Sequence, residues 1–210
     1  MTLISRRTAL LMPLAAWPAA AWAVPLSSQD KALVERASAY LEGLSEARAR
    51  FVQTDARGAA SQGTVYLKRP GKARFAYDPP SGLLVVSDGG RVMVSDSRLK
   101  TFDAYPLFTT PLSLFLAKHI RLDKGVEITR VARLADGFSI TARDTGKKAP
   151  GQLTLTFSDA PLALLGWTST DAQGRATRFR LLNLQRTTGL DPKLFVLRDP
   201  NPPPPGRPRM

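Results

Sequence analysis

His119 is the only histidine of a 210-residue chain that has no cysteine, and this removes most of the chemistry that side chains can perform. No cysteine nucleophile exists, a histidine-rich metal site has a single ligand to draw on, and a Ser-His-Asp triad would have to recruit His119. No Gly-x-Ser-x-Gly elbow occurs to present a serine to it. His119 falls on the apolar face of a short helical pattern, where a packed or rim histidine is the ordinary reading. Asp78, Asp88, Asp96, Asp136, Asp144 and Asp171 all stand in turn contexts, where aspartate is favoured for its local hydrogen bonds. No glycine-rich phosphate loop is present. The roles of an active site are missing, and the chain reads as a binding protein without a cofactor, not as an enzyme.

One arginine stands apart. In Gly63-Thr64-Val65-Tyr66-Leu67-Lys68-Arg69-Pro70-Gly71 the strand period of two puts Val65, Leu67 and Arg69 on one face, and Thr64, Tyr66 and Lys68 on the other. An arginine ending an apolar stripe has two explanations. Either it points inward and needs a partner that offsets its desolvation, or it sits at a rim with its stem on apolar surface and its head in water.

The elements that position these residues follow from periodicity. Ser27 or Ser28 can cap a helix to about Leu44, with Leu33, Ala37, Tyr40 and Leu44 recurring on one face. From Ala47 the period becomes two. Strands are predicted at Phe51-Val52-Gln53 and over 64–69, 73–77, 83–87, 91–95 and 100–105, separated by Gly/Pro/Asp turns. Thr110-Pro111 then starts a short helix carrying Leu112, Phe115, Leu116 and His119 on one face. Strands resume over 126–134, 138–143, 152–157, 164–170 and 175–184. About eleven hairpin-linked strands imply one large curled antiparallel sheet. Two helices are too few to cover its buried face, so part of that face should border a cavity, the default binding site. Strand parity nominates Val65, Leu67, Phe75, Tyr77, Leu155 and Phe157 as its lining, with Leu112, Phe115 and Leu116 from the second helix. Parity does not separate cavity from core.

The ends of the chain give an address. Arg6 and Arg7, an apolar stretch and Ala21-Trp22-Ala23 make residues 1–23 a cleavable export signal. Ser5-Arg6-Arg7-Thr8-Ala9-Leu10 is compatible with twin-arginine export, and a Sec route is compatible as well. Residues 24–199 are expected to form one periplasmic domain, and the proline-rich 200–210 an extended tail. Without Arg6 and Arg7, 28 Lys+Arg stand against 17 Asp+Glu, an excess of 11. Such an excess suits acidic partners or anionic surfaces, and the periplasmic address argues against nucleic acid.

Taken in order, Phe51-Val52-Gln53, Gly63 through Arg69-Pro70-Gly71-Lys72, Arg74-Phe75-Ala76-Tyr77, Val86-Ser87-Asp88-Gly89, Thr110-Pro111-Leu112 and Asp191-Pro192-Lys193-Leu194-Phe195 resemble the outer-membrane lipoprotein carrier (LolA) family from about Leu33 to Phe195. The resemblance implies an unclosed antiparallel β-barrel with helices forming a lid over an apolar cavity. The cavity would receive acyl chains of lipoproteins released by an inner-membrane ABC transporter, for delivery to an outer-membrane receptor or an anionic outer-membrane surface by a monomeric shuttle. The arginine of the family's Arg-Pro motif matches Arg69 and would latch the lid. This chain departs from the family in having Ala73 and Met93-Val94 at positions that are often aromatic, which bears on cargo preference. A periplasmic carrier or sensor for another lipid on the same scaffold, and less readily a periplasmic hydrolase using His119, are the competing readings.

Overall fold

The computed structural model describes residues 26–110, 112–118, 126–145 and 151–200. The predicted signal over 1–23, the tail from 201 onward, Pro111 and His119 lie outside the described residues. Helix α1 (Ser28–Glu42) begins where Ser27 Oγ accepts the backbone N–H of Asp30 at 3.1 Å, and ends on Gly43. Six strands follow: β1 (Glu46–Thr54), β2 (Ala60–Lys68), β3 (Lys72–Tyr77), β4 (Leu83–Asp88), β5 (Arg91–Asp96) and β6 (Thr101–Pro106). After the short helix α2 (Leu112–Leu116) come β7 (Val126–Leu134), β8 (Gly137–Asp144), β9 (Gln152–Ser158), β10 (Ala163–Thr170) and β11 (Ala176–Arg186).

Among the described residues eleven strands form one antiparallel sheet in the order β6-β5-β4-β3-β2-β1-β11-β10-β9-β8-β7. Each half is a meander of hairpins, and pairing of β1 with β11 joins the first half to the second. β6 and β7 are unpaired with each other, so the barrel is unclosed, as the strand pattern predicts. Asp turns make the hairpins: Asp88 Oδ1 accepts the N–H groups of Gly90 and Arg91, and Asp171 Oδ1 those of Gln173 and Arg175. Asp78 differs, because its carboxylate pairs with the Arg50 guanidinium across β2.

The concave face carries the main core, and α1 presses into it with Leu33, Val34, Ala37 and Leu41. Of the Leu33-Ala37-Tyr40-Leu44 face that spacing suggests, Leu33, Ala37 and Leu44 are buried in this core and Tyr40 packs at its edge, while Val34 and Leu41 widen the stripe. Gly43 ends the helix before Leu44, and Tyr40 rests edge-on to Phe157 with ring centres 6.1 Å apart. The partners of α1 lie at one end of the barrel: Arg36 pairs with Asp159 at 2.7 Å, Gln29 accepts from Arg133 at 3.1 Å, and Tyr40 lies under Arg186.

A second, smaller core lies on the convex face. The 3-10 turn Pro192–Phe195 packs on β3 and β4. Phe195, Val86 and Met93 are all buried there, outside the main cluster. Met93 pairs with Val86 and so belongs to this outer core, not to the concave lining. Three bonds strap the segment down: Lys68 Nζ donates to the Leu190 carbonyl at 3.0 Å, Leu190 N–H to Glu46 Oε2 at 2.8 Å, and Arg74 Nη1 to the Leu194 carbonyl at 3.1 Å.

Candidate functional site

Burial alternates along β2 as strand parity requires: Gly63, Val65 and Leu67 are buried, with Thr64, Tyr66 and Lys68 between them only partly so. Arg69 continues the inward stripe and reaches both helices. Its Nη1 donates to the carbonyl of Leu41 in the last turn of α1, and its Nη2 donates to the carbonyl of Ala117, just after α2, at 2.7 Å. The same turn adds Gly71 N–H, which donates to the Leu116 carbonyl at 2.8 Å. Ser87 Oγ fixes this turn by donating to the Gly71 carbonyl at 2.6 Å. A cation that hydrogen-bonds the carbonyls of a helix C-terminus is also favoured by the helix dipole. Burial pushes the Arg69 guanidinium below its ordinary value, and the nearby Glu42 carboxylate acts in the opposite sense. Arg69 Nε is buried and has no hydrogen-bond partner among the described residues.

Beyond α2, on the side away from Arg69, a cavity of about 240 Å³ enters the concave face. Phe75, Tyr77, Val85, Leu112, Leu153, Trp167 and Phe179 form its apolar wall, and Thr110, Ser169 and Thr177 supply hydroxyls. The aromatic rings are mutually packed: Trp167 stacks on Phe179 at 4.8 Å and on Phe115 at 5.6 Å. Tyr77 is set by its hydroxyl, which donates to Gln53 Oε1, and burial raises its phenol to about 12. A larger depression of about 710 Å³ lies outside this face, among residues 60–62, 78–82 and 96–99. Its walls are turns holding the Arg50–Asp78 pair, and it lacks the aromatic wall of the smaller cavity.

Of the nine residues nominated by parity and helix face, Phe75, Tyr77 and Leu112 line the cavity. Val65, Leu67, Phe115, Leu116, Leu155 and Phe157 are buried in the core around it, Phe157 beneath α1 against Tyr40 and Phe138. Val85, Leu153, Trp167 and Phe179 were not nominated. Ala73 is fully buried opposite Leu67.

Residues 42–198 match the profile of the family described as "Outer membrane lipoprotein carrier protein LolA". The chain belongs to the LolA family. Two relatives extend the likeness over nearly the whole sequence. The outer-membrane lipoprotein carrier protein of Methylococcus capsulatus is 28% identical over 203 residues, 92% of this chain and 94% of that one. The protein of the same description from Chromohalobacter salexigens is 27% identical over 189 residues, 85% of this chain and 89% of that one. The LolA-like fold also resembles a DUF1329 family protein from Desulfovibrio piger, with a TM-score of 0.51 at 10% identity over 80% of this chain and 96% of that one.

Proposed function

We propose that this protein is a periplasmic carrier that takes the acyl chains of lipoproteins released from the inner membrane and delivers them to the outer membrane. Membership of the LolA family and the names of both relatives support lipoprotein carriage. The observation that carries the mechanism is the Arg69 bridge: one side chain holds the ends of two helices over the apolar face through backbone carbonyls. In this reading the bridge is a latch, α1 and α2 are the lid, and the described state is the closed one.

Magnitudes fit that assignment. The cavity, about 240 Å³, falls below the ~300–1,000 Å³ of pockets that bury drug-sized ligands, so admitting three acyl chains requires the helices to move. Exposing acyl chains to water costs roughly 0.8 kcal/mol per methylene. A hydrogen bond from a charged group contributes about 1.5–3 kcal/mol. A few methylenes therefore offset each latch bond, and re-closing of the latch helps to expel the chains at delivery. The unpartnered Nε keeps the closed state from being too stable, because a buried donor without an acceptor costs about 1–3 kcal/mol. Val65, Leu67, Phe115, Leu116, Leu155 and Phe157, now packed, join the acyl-chain surface once the lid lifts.

The carrier acts as a monomer, loaded by an inner-membrane ABC transporter and unloaded at an outer-membrane receptor or anionic surface. It is tested by incubating the mature protein with inner-membrane proteoliposomes that hold the matched transporter, ATP and labelled lipoproteins. Transfer of acylated cargo into a soluble complex, without transfer of an unacylated form, is the expected result. Release of neither, or of both alike, would contradict the proposal.

A further inference from the structure

The apolar cavity shares part of its wall with a second depression. Ser169 and Thr177, paired across β10 and β11, line the cavity and also line this second groove, of about 480 Å³. That groove is formed by the β1–β2 and β10–β11 turns through Asp55, Arg57, Asp171 and Arg175. It lies at the barrel end opposite Arg69, since β2 runs from Ala60 beside the groove to Lys68 beside the latch.

We propose that cavity and groove are one amphipathic binding channel, in which the groove receives an acceptor-rich head group attached to the acyl chain in the cavity. The inference rests on the acyl-chain reading given above. Its selectivity comes from donors that no protein acceptor occupies, because the two cations and two carboxylates of the groove cancel in formal charge. Asp55 Oδ1 already accepts from Arg57 N–H and Ala59 N–H, and both oxygens of Asp171 are used by its own turn and by Arg175 Nε, which leaves Asp55 Oδ2 as the one open carboxylate oxygen of the groove among the described residues. The guanidinium of Arg57, by contrast, has no partner among the described residues. Donors remain at Arg57, at the outer nitrogens of Arg175 and at the Ser169 and Thr177 hydroxyls. Carbonyl and phosphate oxygens complement them, and an ammonium head does not.

Trp167 reports on the channel, because Trp17 and Trp22 fall in the predicted signal and leave it the only tryptophan of a chain starting at Val24. Its fluorescence is followed while the wild type and Arg57→Gln are titrated, below the micelle threshold, with dodecyl phosphate, an N-dodecanoyl peptide amide and dodecyltrimethylammonium. At least one of the two acceptor-rich probes should bind the wild type about tenfold more tightly than the ammonium, the worth of a single charge-assisted hydrogen bond. Arg57→Gln should lose most of that margin. Preference for the phosphate alone assigns the groove to a phospholipid head, and preference for the peptide alone to an acylated polypeptide. Equal binding of all three probes, or a ranking unchanged by Arg57→Gln, overturns the channel while leaving the acyl cavity in place. If no probe perturbs Trp167, the acyl-chain reading itself fails.

Discussion

The guanidinium of Arg69 donates to the backbone carbonyl of Leu41, so the contact that joins strand and helix depends on the side chain of one partner only. Its second acceptor, Ala117, is also a backbone carbonyl. Substitutions on the helices therefore leave the acceptors in place, and only Arg69 can be removed cleanly.

This separates two variants by stability. Leu41 is fully buried, and Leu41→Ala should cost about 2–5 kcal/mol through lost transfer energy and a cavity. Arg69→Leu gives up two charge-assisted bonds of about 1.5–3 kcal/mol each, but it also relieves the desolvation of a half-buried cation and extends the apolar stripe. Urea titration should show a clearly lowered midpoint for the first variant and a smaller decrease for the second. A large loss in Arg69→Leu would make Arg69 a structural residue.

Gly71 should not tolerate a side chain. Its φ is +77°, and a Cβ there would lie 2.7 Å from the Gly89 Cα. Gly71→Ala should cost about 1–2 kcal/mol from the backbone conformation alone. It should also weaken the Gly71 bond to Leu116, so amide exchange at Gly71 should rise more than at β2 positions such as Val65. Equal protection in both proteins would contradict the link between this turn and α2.

The strands were legible because hairpin turns and alternation recur through 46–186, and the inward stripe Val65-Leu67-Arg69 needed only parity. Trp167 was hidden by a β-bulge. The register shifts between Leu164 and Gly166, so Leu164 and Trp167, three residues apart, both face the core. Phe179 alternates plainly with Thr177 and Leu181, but its closeness to Phe75 and Trp167 follows from how the sheet curls. Parity turns Met93 to the convex side, but its burial there was not legible, because Phe195, about a hundred residues later in sequence, packs on that outer face. The groove at Arg57 was equally invisible, because the two turns that build it meet only through the pairing of β1 with β11.

Alkaline titration probes the cavity wall. Burial raises the Tyr77 phenol from 10.0 to about 12, so the unfolded chain ionises first. The associated stability is fully present below pH 10 and is lost as pH rises from about 10 to 12, on the order of 2–3 kcal/mol. Tyr77→Phe should flatten this part of the stability curve and cost about 1 kcal/mol at neutral pH for the bond to Gln53. An identical alkaline limb in both proteins would argue that Tyr77 is open to solvent.

The convex core should behave as a separate element. Phe195 is 2% exposed, and Phe195→Ala should cost about 3–5 kcal/mol. Its effect should add to that of Leu41→Ala, because distant sites without shared partners are additive to within about 0.5 kcal/mol. Marked non-additivity in a double-mutant cycle would show that the outer strap and the lid helices are coupled.

The most direct test of the account follows delivery. Wild-type protein and Arg69→Leu are loaded with the same labelled lipoprotein, and its transfer to outer membranes is timed. The account predicts that the variant accepts cargo but delivers it much more slowly, because re-closing of the Arg69 bridge no longer helps to expel the acyl chains. Delivery at the wild-type rate would contradict the latch.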